Sequence, residues 1–123
     1  MMKKYFLMVM MLFTMSMGLF AEDNDANEAQ RIEMYDIKIS IKSLTRFLEL
    51  SKDQVESVSA IEEQFTRDLM FAAVECNDNN RITVTQNAIN KNVKHMSYIL
   101  NKKQYKKYLK CLNITINNRG LLK

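Results

Sequence analysis

No proline occurs anywhere in this chain of 123 residues, and only two glycines do, Gly18 and Gly120. Proline and glycine are the strongest local breakers of regular structure, so a chain nearly without them favours long helices joined by polar turns. The apolar pattern agrees. Val55, Val58, Ile61, Phe65, Leu69, Ala72 and Cys76 recur at three- and four-residue steps, the stripe of one long amphipathic helix. Asn77-Asp78-Asn79-Asn80 interrupts it with side chains that bond their own backbone, which predicts the bend of a helical hairpin. Ile82, Ile89, Val93, Met96 and Leu100 mark the returning helix, weakened at its start by β-branched Thr83, Val84 and Thr85. Tyr105, Tyr108, Leu109 and Leu112 mark a shorter last helix that ends in the low 110s, before an irregular tail.

Upstream, Met34, Ile37, Ile41, Leu44 and Leu48 lie on one helical stripe. Tyr35, Ile37, Ile39 and Ile41 also alternate as a strand would. Helix is the reading, because the three-four pattern runs on to Leu48 and no second strand follows to pair with the first. The expectation is an all-α fold, a four-helix protein with a long central helical hairpin.

Met1-Met2-Lys3-Lys4, an uncharged apolar run from Tyr5 to Phe20, and Ala21 before Glu22-Asp23 have the layout of a secretory signal peptide. The run is shorter than the roughly 20 residues of a spanning helix. The expected organisation is therefore a signal peptide over 1–21, cleaved after Ala21, with a periplasmic product and no stable membrane insertion. Residues 22–31 are expected to be a mobile acidic tail, and 32–123 a single helical domain. Seven of the ten methionines fall in the first 17 residues, so the methionine content is not a copper-site pattern.

Charge divides the chain. Residues 22–79 hold all 14 acidic residues against 6 basic ones, whereas 80–123 hold 10 basic residues and no acid. Acidic and basic helices packed side by side, or in a dimer, account for this; a surface for an anionic partner is the other reading. Nucleic acid is not an expected partner of an exported protein.

The most informative feature is an internal repeat. Leu50-Ser51-Lys52-Asp53-Gln54 returns 50 residues later as Leu100-Asn101-Lys102-Lys103-Gln104. Ser51 and Asn101 are favourable N-caps, and Gln54 and Gln104 stand three residues on, where the amide reaches back to the cap's own N–H. Each segment thus reads as a capping box, with its leucine packed as a hydrophobic staple on Val55 or Tyr105. An antiparallel hairpin places both boxes at one end. There Asp53 and Glu56 are expected to face Lys102 and Lys103, an exposed pairing of about 0.2–1 kcal/mol per pair.

At these residues the chain resembles the Spy/CpxP-like periplasmic proteins, which carry two Leu-Thr-x-x-Gln motifs at helix starts about 50 residues apart. The resemblance covers roughly residues 32–112. Leu50, Gln54, Leu100 and Gln104 match outright, and Ser51 and Asn101 replace the threonine with other capping residues. The resemblance implies a homodimeric, cradle-like protein that binds unfolded or damaged envelope proteins without ATP, or that reports envelope stress to a membrane sensor.

Other chemistry is poorly provided for. His95, Met96, Cys76 and Cys111 have no clustered metal-ligand spacing, so neither metal nor cofactor is expected. One histidine, no activated-serine motif and no Gly-rich phosphate loop argue against an enzyme. Glu62 and Glu63 are adjacent, splay apart on a helix and read as a solvated face. Cys76 lies about 37 Å along the long helix and Cys111 about 15 Å along the last. That separation is far beyond the roughly 7 Å a disulfide spans, so reduced thiols or an intermolecular bond are expected. Lys103, Tyr105, Lys106, Lys107 and Tyr108 form a candidate client-binding patch of rings and cations. The functional expectation is an exported chaperone-like protein with an apolar helical surface and a basic rim. The alternative is an interaction protein docking one folded envelope partner, such as a stress-sensor domain.

Overall fold

The computed structural model describes residues 26–122, so the segment read as a signal peptide lies outside the described residues. Among the described residues five helices follow one another: α1 (Ala26–Tyr35), α2 (Ile41–Leu48), α3 (Lys52–Glu75), α4 (Asp78–Ile99) and α5 (Lys102–Arg119). Among the described residues there is no strand, and no helix is long and apolar enough to cross a membrane. The fold is all-α.

Helices α3 and α4 make the central antiparallel hairpin. At one end Gln54 near the start of α3 bonds the carbonyl of Ile99 at the end of α4. At the other, Arg81 on α4 bonds the carbonyl of Ala72 on α3. The turn is tighter than expected. Asn77 caps α4 by accepting from the Asn80 N–H, so Asp78, Asn79 and Asn80 form the first helical turn instead of a loop. Asparagine suits either role, because the side-chain oxygen that stabilises a turn also satisfies a helix's first free N–H groups.

Two helices stand where one was expected upstream. Residues 36–40 form a non-helical linker between α1 and α2 that opens with a tight turn, the Ile37 N–H on the Tyr35 carbonyl at 3.0 Å, and Ser40 caps α2 through the Ser43 N–H at 3.2 Å. The strand-like alternation is not a strand: Tyr35 ends α1 and Ile41 opens α2, and between them Ile37 is buried while Lys38 is exposed. Residues 26–31, expected in the tail, are helical, and Arg31 Nε donates to the Ala73 carbonyl at 2.9 Å.

The last helix also runs beyond its expected end, to Arg119. Gly120 stops it with φ 66° and ψ 34°, a left-handed conformation that glycine adopts without a Cβ clash. The Leu121 N–H returns to the Ile116 carbonyl, and Leu121 is fully buried. Tyr35 donates to the Leu121 carbonyl at 3.2 Å, and Arg119, itself buried, donates to the Glu33 carbonyl at 2.7 Å. Burial of Arg119 lowers its pKa, against the raising influence of Asp36 and Glu33. Long-range docking of this kind holds Ile114, Thr115 and Ile116 in a helix that local propensity disfavours.

Leu44, Phe47, Leu48, Val58, Phe65, Leu69, Met96, Tyr108 and Leu112 are among the members of one core to which all of α2–α5 contribute, joined by Tyr35 at the end of α1. Each such side chain contributes about 1.5–3 kcal/mol by burial. The ion pairs Glu63–Arg67, Asp78–Arg81 and Asp68–Lys91 carry at least one well-exposed partner and so add little stability; the first two lie within one helix, and Asp68–Lys91 joins α3 to α4.

Glu49 closes α2 with φ 57°, the one non-glycine residue among those described with a positive φ. A Cβ is unfavourable there, and a negative side chain at a helix C-terminus opposes the dipole. Glu49→Gly is therefore expected to stabilise the fold by about 0.5–1 kcal/mol, read as a higher unfolding midpoint in urea at unchanged slope. A lower midpoint would contradict this account of the α2 terminus.

Both cysteines are free, but they differ in access: Cys111 is fully buried and Cys76 partly so. Burial, with a smaller contribution from Glu62, pushes the Cys111 thiol up to about 12. A thiol reagent should consume Cys76 in the native protein and both residues in denaturant. Any disulfide-linked dimer on a non-reducing gel should disappear with Cys76→Ser and persist with Cys111→Ser.

Candidate functional site

Both expected capping boxes form. Ser51 Oγ accepts from the Gln54 N–H and Gln54 Oε1 from the Ser51 N–H, at 3.3 and 3.0 Å. Asn101 and Gln104 repeat the exchange at 2.8 and 3.0 Å. The same two glutamines then meet across the helices. Gln54 Nε2 donates to Gln104 Oε1 at 2.8 Å, and Gln104 Nε2 donates to Gln54 Oε1 at 3.1 Å. Each amide has one hydrogen left for the helix ends: that of Gln54 goes to Ile99 O at 2.9 Å, and that of Gln104 is shared between Leu48 O at 3.1 Å and Glu49 O at 3.3 Å. Ile99 and Glu49 are themselves 50 residues apart, so the hydrogen bonds follow the sequence repeat.

This amide pair ties the N-termini of α3 and α5 to the C-termini of α2 and α4. Glutamine is required for that work because an amide both accepts and donates, while a carboxylate only accepts. Among the described residues no ion pair joins Asp53 or Glu56 to Lys102 or Lys103; the neutral amides make the contact assigned to the charges.

A second polar cluster lies midway along the hairpin, inside the core. Glu62, Asn92 and Tyr108 are buried, with exposures of 2 %, 2 % and 0 %. Asn92 Nδ2 donates to Glu62 Oε1 at 2.7 Å, and the Tyr108 hydroxyl lies 2.9 Å from Glu62 Oε1 and 2.7 Å from Asn92 Oδ1. That hydroxyl has one hydrogen for two oxygens. A proton on Glu62 resolves the shortage: Glu62 donates to Tyr108, Tyr108 to Asn92, and Asn92 back to Glu62. Burial raises the Glu62 carboxyl to about 7, outweighing the lowering effect of Asn92 and Tyr108. Burial likewise pushes the Tyr108 hydroxyl well up, reinforced by Glu62. Glu62 Oε2 has no hydrogen-bond partner.

These positions correct two sequence expectations. Glu62 is not on a solvated face, although its neighbour Glu63 is exposed and pairs with Arg67 at 3.2 Å. Tyr108 does not belong to a surface patch, because it is the largest fully buried side chain. Lys103 and Lys106 are exposed, Tyr105 and Lys107 half-buried, and the Lys107 ammonium sits 5.6 Å above the Phe47 ring. The sequence held a signal for Glu62: Val58, Glu62, Phe65, Leu69 and Ala72 are all buried and keep four-three spacing. Ile61, counted in the stripe instead, is only partly buried.

A groove of about 440 Å³ opens beside Glu62, between α3 and the 36–40 linker with the first residue of α2. Ile37, Ile39 and Ile41 line one wall and Ser59, Glu62, Glu63 and Thr66 the other, with Asp36 and Lys38 also on the lining. Among the described residues, no group of three or more His, Cys, Asp or Glu side chains is placed to hold a metal ion. His95 is exposed on α4 and lines a separate crevice with Asp68 and Lys91.

The fold and these clusters place the chain among small all-α proteins. Comparison with family models, with curated proteins and with solved structures finds no match.

Proposed function

We propose that the chain is an exported, ATP-independent client-binding protein of the Spy/CpxP-like type, holding unfolded or damaged envelope proteins. The observation that carries this reading is the pair of Leu-x-x-x-Gln capping boxes, 50 residues apart, whose glutamines close on each other at one end of the hairpin. Exposed apolar side chains on that hairpin also support it: Phe71 (54 %), Val74 (46 %) and Ile82 (43 %) near the turn, and Tyr98 (72 %) toward the other end. Phe71 borders a groove of about 220 Å³ with Val84 and Ala88, edged by Asp68, Asn87 and Lys91. Exposed apolar side chains of this size offer attachment points for unfolded chains. The rim cations are Lys103, Lys106 and Lys107 on α5; Tyr108 takes no part, being buried.

The test is light scattering from an unrelated aggregating protein, with and without the chain from residue 22, at stoichiometric ratios and without ATP. Suppression is expected, and Phe71→Ser with Tyr98→Ser should weaken it while leaving the helical circular dichroism intact. Replacing Lys103, Lys106 and Lys107 with glutamate asks whether the rim contributes. No suppression by monodisperse, helical protein, together with saturable one-to-one capture of a folded envelope protein, would replace this reading with the single-partner one.

A further inference from the structure

The 440 Å³ groove against α3 combines features that the client-binding reading does not use. Its volume lies within the range of small-ligand sites. Three isoleucines supply aliphatic lining, and three of the four ionisable residues on it are carboxylic acids: Asp36, Glu62 and Glu63, against Lys38. Glu62 is the member of the buried triad that also borders the groove; Asn92 and Tyr108 do not line it. Its Oε1 is committed to Asn92 and Tyr108, and its Oε2 is buried with no partner. A buried acceptor without a donor can be satisfied by a ligand's N–H, and a cation there would also offset the cost of ionising a buried carboxyl.

We propose that this groove binds an aliphatic cation, an ammonium or guanidinium on a short hydrocarbon stem, with the stem against Ile37, Ile39 and Ile41 and the charged head on Glu62 Oε2. An anion is disfavoured by the three carboxyl groups, and a purely apolar ligand would leave Oε2 unpaired. The proposal does not depend on the client-binding reading. The same head and stem occur in a free alkylamine and in a lysine or arginine side chain of a polypeptide.

Binding is coupled to a proton. Glu62, raised to about 7 by burial, must ionise to meet the cation, so complex formation at neutral pH releases its proton to solvent. Affinity then rises with the ionised fraction and falls about a hundredfold from pH 8 to pH 5. The groups around Glu62 are Tyr108 and Cys111 on α5, Asn92 on α4, Glu63 on α3, and Asp36 and Lys38 on the linker between α1 and α2. Burial pushes the Tyr108 hydroxyl and the Cys111 thiol far above this pH range.

The test is calorimetric titration of the whole chain, expressed with its N-terminal segment so that any processing occurs, in buffers of different ionisation enthalpy. The probes are n-butylamine, n-butanol as its neutral counterpart, and a capped Gly-Lys-Gly peptide. Saturable binding of the amine but not the alcohol, with proton release and the stated pH dependence, is expected. Tighter binding of the peptide would name a polypeptide side chain as the source, and binding of the free amine alone a small molecule. Glu62→Gln should abolish the proton release and most of the affinity. Ser59→Leu, which fills the groove from its α3 wall and leaves the Glu62, Asn92 and Tyr108 side chains in place, should abolish binding in a protein of unchanged melting temperature. Equal responses to amine and alcohol, no binding at pH 8, or undiminished binding by folded Ser59→Leu would each overturn the proposal.

Discussion

Replacing Gln104 with glutamate is expected to destabilise the protein by about 3–5 kcal/mol at neutral pH, the largest effect of any single-atom-scale change in this fold. The amide nitrogen of Gln104 donates to Leu48 O, Glu49 O and Gln54 Oε1. A carboxylate removes every one of those donations and sets a negative charge against three oxygens at a site only 7 % exposed. Domains of this size are stable by roughly 5–15 kcal/mol, so the variant should lose a large share of its stability and unfold at a clearly lower urea midpoint. Gln54→Glu should cost less, about 1–2 kcal/mol, because Gln54 is only partly buried. Urea unfolding of Gln54→Ala, Gln104→Ala and their double mutant measures the coupling directly, with about 1 kcal/mol or more expected. Additive losses would mean that the reciprocal amide pair contributes nothing beyond its separate caps.

The second large effect concerns pH. In the unfolded chain Glu62 loses its proton near 4.5, whereas in the fold it keeps the proton up to about 7. Between those values the folded state binds the additional proton, so stability falls as pH rises. The contribution is fully present below 4.5 and has been lost once pH passes 7, a total of about 3 kcal/mol. Glu62→Gln should abolish this component and raise stability at pH 8 relative to the parent, since glutamine occupies the site without a charge. The measurement is urea unfolding at half-unit pH steps, comparing the variant with the parent so that other carboxylates cancel. Parallel curves across pH 4.5–7 would refute the assignment. Tyr108→Phe should destabilise at every pH by about 1–3 kcal/mol, because Asn92 Oδ1 then loses its hydroxyl partner inside the core.

The two predictions touch different parts of one design. The amide pair fixes where four helix ends meet, and the triad fixes how α3, α4 and α5 pack eight residues further along α3. Apolar packing supplies most of the stability but tolerates sliding; hydrogen bonds with a single satisfied arrangement do not. Three arginines perform a related service at the turn end. Arg31 and Arg81 cap Ala73 and Ala72 on α3, with a further bond from Arg81 to Cys76 O, and Arg119 caps Glu33 at the end of α1. Their targets are carbonyls that a helix terminus leaves without partners.

Much of this was legible in the residues alone. The absence of proline, the three-four apolar steps and the two capping boxes determined that the chain is helical, where α3 and α5 begin, and that a hairpin joins α3 to α4. All of these are local: the relevant atoms lie within a few residues of each other, and spacing along the chain reports them faithfully. Only the tertiary structure decided that Gln54 and Gln104 bond each other, that Glu62 and Tyr108 turn inward, and that α5 continues to Arg119. In each case the deciding partner is 30 to 86 residues away. A glutamate at a core position reads as polar, and a β-branched tail reads as a poor helix, until the groups that compensate for them are known. Burial and long-range hydrogen bonding set those outcomes, and they act through space where the order of residues carries no direct record.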